Sequence, residues 1–189
     1  MNKIKVLVTT TSFQDTPGRH HINLQKQGWE VYFLRGPLEE KQLIPIINKF
    51  EGIICGDDYY SKDVLKNASC LKAISKYGVG LDRIDLDYAK IRNIKVTNCP
   101  GINQKSVSEH ILALLFAFEK NIHIQYNSVQ DKKWIRNIGR EIEGKTIGIL
   151  GLGSVGKELA KKALALGIKV LGYDNFVDQE IFKEEQNFK

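Results

Sequence analysis

Residues 146 to 174 read TIGILGLGSVGKELAKKALALGIKVLGYD, and no other stretch of the chain restricts its fold so tightly. An apolar strand, Ile147 to Leu150, runs into Gly151-Leu152-Gly153-Ser154-Val155-Gly156. An amphipathic helix, Lys157 to Leu166, and a second strand, Lys169 to Tyr173, follow, and the unit ends at Asp174. A Gly-x-Gly-x-x-Gly turn between a strand and a helix, closed by an acid after the next strand, is the fingerprint of a dinucleotide-binding βαβ unit. Gly151 permits the tight turn, Gly153 keeps side-chain bulk away from a pyrophosphate, and Gly156 lets helix and strand pack closely. The free amides and positive dipole end at Ser154 and Val155 then face the phosphates. Asp174 stands 18 residues after Gly156, where a carboxylate accepts hydrogen bonds from a ribose and repels a 2′-phosphate. The next residue is Asn175 and not Arg, so the reading is NAD in preference to NADP.

The rest of the chain fits this frame. Upstream, apolar β-rich runs alternate with helical spacings. The strands are expected at Ile4 to Thr9, Glu30 to Leu34, Gly52 to Cys55, Leu71 to Ser75 and Ile94 to Asn98. Helices are expected near Arg19 to Gln27, Leu38 to Asn48, Ser61 to Asn67 and Asp85 to Arg92, with Pro45 kinking or starting the second of them. Such alternation predicts a doubly wound parallel sheet with both faces covered. After Gln104 a long helix, SVSEHILALLFAFEKN, is expected to open on a capping box of Ser106 and Glu109. Its residues Ile111, Leu114, Leu115 and Phe118 form an apolar face, and Leu112, Phe116 and Ala117 leave little polar surface, so burial by a second domain or a partner chain is expected. The segment Gln125 to Glu143 reads as polar.

Composition removes other classes. The 189 residues carry 28 Lys+Arg and 22 Asp+Glu, a formal charge of +6, but the lysines are scattered among acids, which reads as a solvated surface without nucleic-acid binding. The longest apolar run, Ile111 to Phe118, is far below the roughly 20 residues of a membrane span. MNKIKVLVTT reads as a first strand and not a leader, so the expected location is cytoplasmic. Cys55, Cys70 and Cys99 are widely spaced with no metal-ligand pattern, and are expected to be small buried thiols.

Several stretches together resemble the D-isomer-specific 2-hydroxyacid dehydrogenases, in particular their D-3-phosphoglycerate dehydrogenase branch. They are Tyr77-Gly78-Val79-Gly80-Leu81-Asp82-Arg83-Ile84-Asp85, Ile94-Lys95-Val96-Thr97-Asn98-Cys99-Pro100-Gly101, Ser106-Val107-Ser108-Glu109-His110, and the fingerprint with Gly172-Tyr173-Asp174. Their order and spacing match across roughly residues 50 to 176. Arg83 stands where Asn is common in the family, and Asn93 where Gly is common.

The resemblance implies a flavodoxin-like substrate-binding domain over residues 1–99, followed over 100–189 by an incomplete Rossmann NAD-binding domain. It implies that Gly78, Val79 and Gly80 present backbone amides to the carboxylate of a 2-hydroxy or 2-keto acid, with Val79 also close to the nicotinamide. It further implies that the helix from Ser106 forms a homodimer contact. The Arg, His and Glu or Asp that the family uses for catalysis lie C-terminal to the second fingerprint strand. Lys189 comes 15 residues after Asp174, so no catalytic residue is assigned and this chain is expected to have no turnover. His20, His21, His110 and His123 read as surface or packing residues. The alternative reading is a non-catalytic dinucleotide-binding or dimerisation module of the same ancestry.

Overall fold

The computed structural model describes residues 3–176, 182 and 186–189. Its two compact units are Met1–Pro100 and Gly101–Lys189.

In the first unit the chain runs β1 (Lys5–Val8), α1 (Thr11–Asp15), α2 (Arg19–Lys26), β2 (Glu30–Phe33), α3 (Glu40–Leu43), a 3-10 turn (Ile47–Lys49), β3 (Gly52–Cys55), α4 (Lys62–Asn67), β4 (Ala73–Lys76), α5 (Leu86–Ile91) and β5 (Lys95–Thr97). All five strands are parallel, in the order β2-β1-β3-β4-β5. That is the flavodoxin-like winding, which reverses direction between β1 and β3. Register explains the two cores. Leu7, Ile53, Ile74 and Val96 pair across four strands and point to one face, where they meet Leu43, Ile47, Val64 and Leu65. Their chain neighbours Val8 and Ile54, half a pleat away, point to the other face and pack on Phe13 and Leu24 of α1 and α2. Both faces of the sheet are therefore covered.

Local chemistry sets the helix ends. Ser61 and Asp85 cap α4 and α5 by accepting the amides of Val64 and Tyr88. The second expected helix stops early: α3 ends at Leu43, just before Pro45, and only a 3-10 turn follows, because proline lacks the amide that the next turn requires. Asn93, where glycine is common, takes the left-handed conformation (φ 55°) just past α5, a conformation that asparagine tolerates better than most residues. Helix α1 was not expected from the sequence.

The second unit contains α6 (Gln104–Glu119), α7 (Ile122–Gln130), β6 (Thr146–Leu150), α8 (Ser154–Ala165) and β7 (Lys169–Tyr173). Strands β6 and β7 are parallel and in register from Thr146↔Lys169 to Leu150↔Tyr173, which makes β6-α8-β7 the Rossmann βαβ unit. Along the other edge of β7, the Val170 amide donates to the Asn187 carbonyl (2.8 Å) and the Gly172 amide to that of Lys189 (2.8 Å). The unit's core joins Leu112 and Ile142 to Ile149, Leu159, Ala163 and Val170.

Two expectations need correction here. Helix α6 starts at Gln104 after Asn103, and no Ser106 capping box forms, because Glu109 is turned to Lys162 of α8 (3.1 Å). The polar stretch from Gln125 opens within helix α7, an element that the sequence did not mark. Within the single chain the burial of α6 is one-sided: Leu112 packs into the core, with Ile111 and Leu115 beside it, whereas Leu114 and Phe118 are 57% and 71% exposed. Among the cysteines, Cys55 is buried, Cys99 half-buried and Cys70 exposed, so the expectation of three buried thiols fails at Cys70, which lies in a surface turn before β4. Among the described residues, no helix is long and apolar enough to cross a membrane, and no His, Cys, Asp and Glu cluster could hold a metal ion.

Candidate functional site

Two clusters of backbone amides stand out, one in each unit. In the second unit the fingerprint turn leaves β6 at Gly151, whose φ of 97° is open to glycine and disfavoured for other residues. A Cβ on Gly156 would lie 2.0 Å from the Gly151 carbonyl oxygen, so only glycine lets α8 start this close to the turn. An added Cβ on Gly153, in contrast, would meet nothing within 4 Å. This is open space in front of a backbone, the shape needed for a bulky phosphate group. The Gly151 amide donates to the Tyr173 carbonyl (2.7 Å) and the Leu152 amide to Oδ2 of Asp174 (2.6 Å). The amides of Gly153, Ser154 and Val155 donate to no acceptor among the described residues. These orphan donors sit at the positive end of the twelve-residue helix α8.

Asp174 is where the sequence reading placed it, at the end of β7, but it has work within the chain. Besides the Leu152 amide it accepts that of Phe176 (2.9 Å), and these backbone hydrogen bonds, led by Phe176, hold its carboxyl below the usual range. A carboxylate has about four lone-pair positions, so two remain for an outside hydroxyl. Spacing alone could not show the bond to Leu152, which fixes the acid against the turn it serves.

In the first unit, Gly78, Val79 and Gly80 follow β4, and the loop is anchored by its carbonyls. Gly78 accepts from the Cys99 amide (2.8 Å) and Val79 from Nδ2 of Asn98 (2.7 Å). The amides of Gly78, Val79 and Gly80 have no acceptor among the described residues. Gly78 itself has φ 155°, which suits glycine. The three residues line a cleft of about 280 Å³ with Thr9, Thr10, Thr11, Ser12, Gly56, Asp57, Lys76 and Tyr77. All these groups stand at the carboxyl ends of β1, β3 and β4, on the crevice where the strand order reverses, which is where open α/β sheets bind ligands.

The floor of the cleft is a buried polar network that the sequence reading missed. Asp58, 1% exposed, accepts from the Thr9 hydroxyl and from the amides of Leu38 (2.7 Å) and Gly56 (3.2 Å). Lys76, also buried, donates through Nζ to the Gly56 carbonyl (2.6 Å) and to Oδ1 of Asp57 (2.5 Å). The one available signal was an Asp-Asp pair one residue after an apolar strand, in a loop that must face the carboxyl end of the sheet. Beneath this network, burial pushes the Cys55 thiol up to about 12, so it stays protonated and is no nucleophile. His20 and His21 pack with Phe13 at ring separations of 4.5 and 4.7 Å, as packing residues do, while His110 and His123 lie on α6 and α7.

Comparison with known proteins gives the same picture. Residues 7–165 match the family D-isomer specific 2-hydroxyacid dehydrogenase, catalytic domain. The chain is 40% identical over 160 residues to D-3-phosphoglycerate dehydrogenase of Archaeoglobus fulgidus, covering 83% of this chain and 30% of that protein. It is 34% identical to hydroxypyruvate reductase of Thermotoga maritima, covering 80% of this chain and 54% of that protein. Among solved structures, a protein from Thermus thermophilus superposes with a TM-score of 0.83 at 30% identity, covering 96% of this chain and 62% of that one. D-lactate dehydrogenase from Aquifex aeolicus, complexed with NAD and lactic acid, superposes with a TM-score of 0.80 at 26% identity, covering 97% of this chain and 55% of that one. The chain spans between 30% and 33% of the length of the archaeal and cyanobacterial phosphoglycerate dehydrogenases it matches. With its flavodoxin-like and Rossmann elements and this match over most of its length, the chain belongs to the D-isomer-specific 2-hydroxyacid dehydrogenase family.

Proposed function

We propose that this chain supplies the NAD-binding turn and the substrate-carboxylate loop of an oxidoreductase acting on D-2-hydroxy acids. The observation that carries the reading is the row of unpartnered amides, Gly153 to Val155, opening α8 in front of free space. The residues fit the cofactor: these amides hold the pyrophosphate, Gly156 keeps the helix close, and the remaining lone pairs of Asp174 accept the ribose hydroxyls. NAD, when bound, supplies the hydride exchange between its nicotinamide C4 and C2 of the acid. In the first unit, the amides of Gly78, Val79 and Gly80 converge on the substrate carboxylate without a side chain intervening, and Val79 borders the nicotinamide. Residues 1–99 serve as the substrate-binding domain and 100–189 as the cofactor-binding one. Among the described residues no histidine lines the first unit's cleft, and the described residues are proposed to bind without turning over.

The test is titration of the ¹⁵N-labelled chain with NAD⁺ and NADP⁺, followed at the amides of Gly153, Ser154 and Val155. NAD⁺ shifts these signals, NADP⁺ binds about tenfold or more weakly because Asp174 repels its 2′-phosphate, and Gly153→Asp abolishes both. Equal binding of the two cofactors, or shifts confined to other residues, refutes the reading.

A second role rests on α6. Val107, Leu114 and Phe118, at i, i+7 and i+11, form an exposed apolar stripe beside the face that packs on α8. It is proposed as a homodimer contact, and sedimentation velocity should show a dimer that Phe118→Glu converts to monomer. A wild-type monomer at 100 μM, about a hundredfold above a micromolar dissociation constant, removes the proposal.

A further inference from the structure

Among the described residues, one cation lines the cleft at the end of the first unit's sheet, and that cation is already paired. Lys76 Nζ is held by the Gly56 carbonyl at 2.6 Å and by Asp57 Oδ1 at 2.5 Å. Asp57 itself is open to solvent, its side chain 82% exposed, so its second oxygen faces whatever enters. Behind the floor lies the buried Asp58 carboxylate, whose partners are a hydroxyl and two neutral amides with no cation among them. Summed over Lys76, Asp57 and Asp58, the charge is −1. The other polar groups in reach, the hydroxyls of Thr10, Thr11 and Ser12, are neutral, and none makes a hydrogen bond among the described residues.

A ligand whose carboxylate rests on the Gly78–Gly80 amides places its far end among these groups. One anion is accommodated by the loop amides. A second, doubly charged anion would meet a free Asp57 oxygen and find Lys76 already occupied, while the Arg83 guanidinium is engaged by the Asp57 carbonyl (3.2 Å) and by Glu39 (3.1 Å). A hydroxyl, in contrast, finds free donors and acceptors in Thr10, Thr11 and Ser12 and an acceptor in Asp57. At about 280 Å³ the cleft lies just below the usual range for ligand cavities, roughly 300–1,000 Å³, so the acid is small.

We infer that Asp57 sets substrate class by excluding phosphate: the cleft takes a small, hydroxyl-bearing, unphosphorylated 2-hydroxy or 2-keto acid. This rests on the carboxylate-loop reading above and adds the selectivity.

The experiment uses two probes that differ only by the phosphate, D-glycerate and 3-phospho-D-glycerate, each titrated at constant ionic strength into the ¹⁵N-labelled 189-residue chain. Shifts are read at the amides of Thr10, Gly78 and Gly80. D-Glycerate is expected to bind at least about tenfold more tightly than its 3-phosphate, and Asp57→Asn and Asp57→Ser each to narrow that ratio several-fold by removing the charge and releasing Lys76. Equal or tighter binding of the phosphate ester, or a ratio unmoved in both folded variants, overturns the role of Asp57 and leaves the carboxylate loop standing. If neither probe shifts these amides, the carboxylate-loop reading fails, and the selectivity falls with it.

Discussion

The two units carry comparable amide clusters on very different supports. In the first, five parallel strands are covered on both faces, and side chains such as Leu7, Leu43, Ile53 and Ile74 are fully or almost fully buried. In the second, among the described residues, two full strands and one crossover helix carry the fingerprint turn, while Leu150, Trp134 and Ile138 are at least 85% exposed. A parallel sheet needs cover on both faces before its apolar residues contribute stability. The first unit therefore holds its cleft with cores on both faces of its sheet, whereas the second holds its turn with one core, in which Leu152 is buried, and with the local geometry of Gly151, Gly156 and the Asp174 brace.

The largest expected effect tests that contrast directly. Gly156→Ala places a methyl group 2.0 Å from a backbone oxygen, so helix and turn must separate, at a cost of about 4 kcal/mol or more. Hydrogen exchange should show protection lost in α8 and β7 and retained in β1, β3 and β4; loss in both units would show that they do not stabilise independently. Next, Leu43→Ala removes a fully buried side chain from the first unit and is expected to cost about 3 kcal/mol in urea unfolding. The matched Leu114→Ala on the exposed face of α6 should cost under about 0.5 kcal/mol. A comparable loss at Leu114 would mean that the α6 stripe is covered, which the dimer proposal accommodates only if the loss depends on protein concentration.

The smallest effect is electrostatic. Asp174 is held below its ordinary pKa by the amides of Phe176 and Leu152, so its stabilisation is fully present above the unfolded value, about pH 3.9, and disappears as pH falls through the lowered folded value. The Leu152 amide resonance should report a midpoint below about 3.9. A midpoint at or above that value would mean that the brace does not form.

Much of the fold can be read locally. The alternation of apolar strands with helical spacing located five strands of the first unit to within a residue or two, because period-2 and 3.6-residue patterns are written in consecutive residues. The fingerprint helix was placed three residues late, since Ser154-Val155-Gly156 has little apolar periodicity and becomes helical only because the Gly151 turn feeds it. Helix α7 escaped because its apolar residues, Ile122, Ile124, Tyr126 and Val129, are all exposed and make no single buried face.

By itself, then, the sequence determined what depends on neighbours along the chain: the strand–helix alternation, the turn that only glycines permit, the acid after β7, and through them the family. Tertiary structure decided which distant groups meet. Glu109 leaves a capping role for Lys162, 53 residues away, Asp174 braces Leu152 across 22 residues, and Asp57 occupies Lys76 across 19. The reason is physical: periodicity and turn chemistry act over a few residues, whereas the partner of a charged side chain is set by strand order and register, which bring together groups that no spacing rule connects.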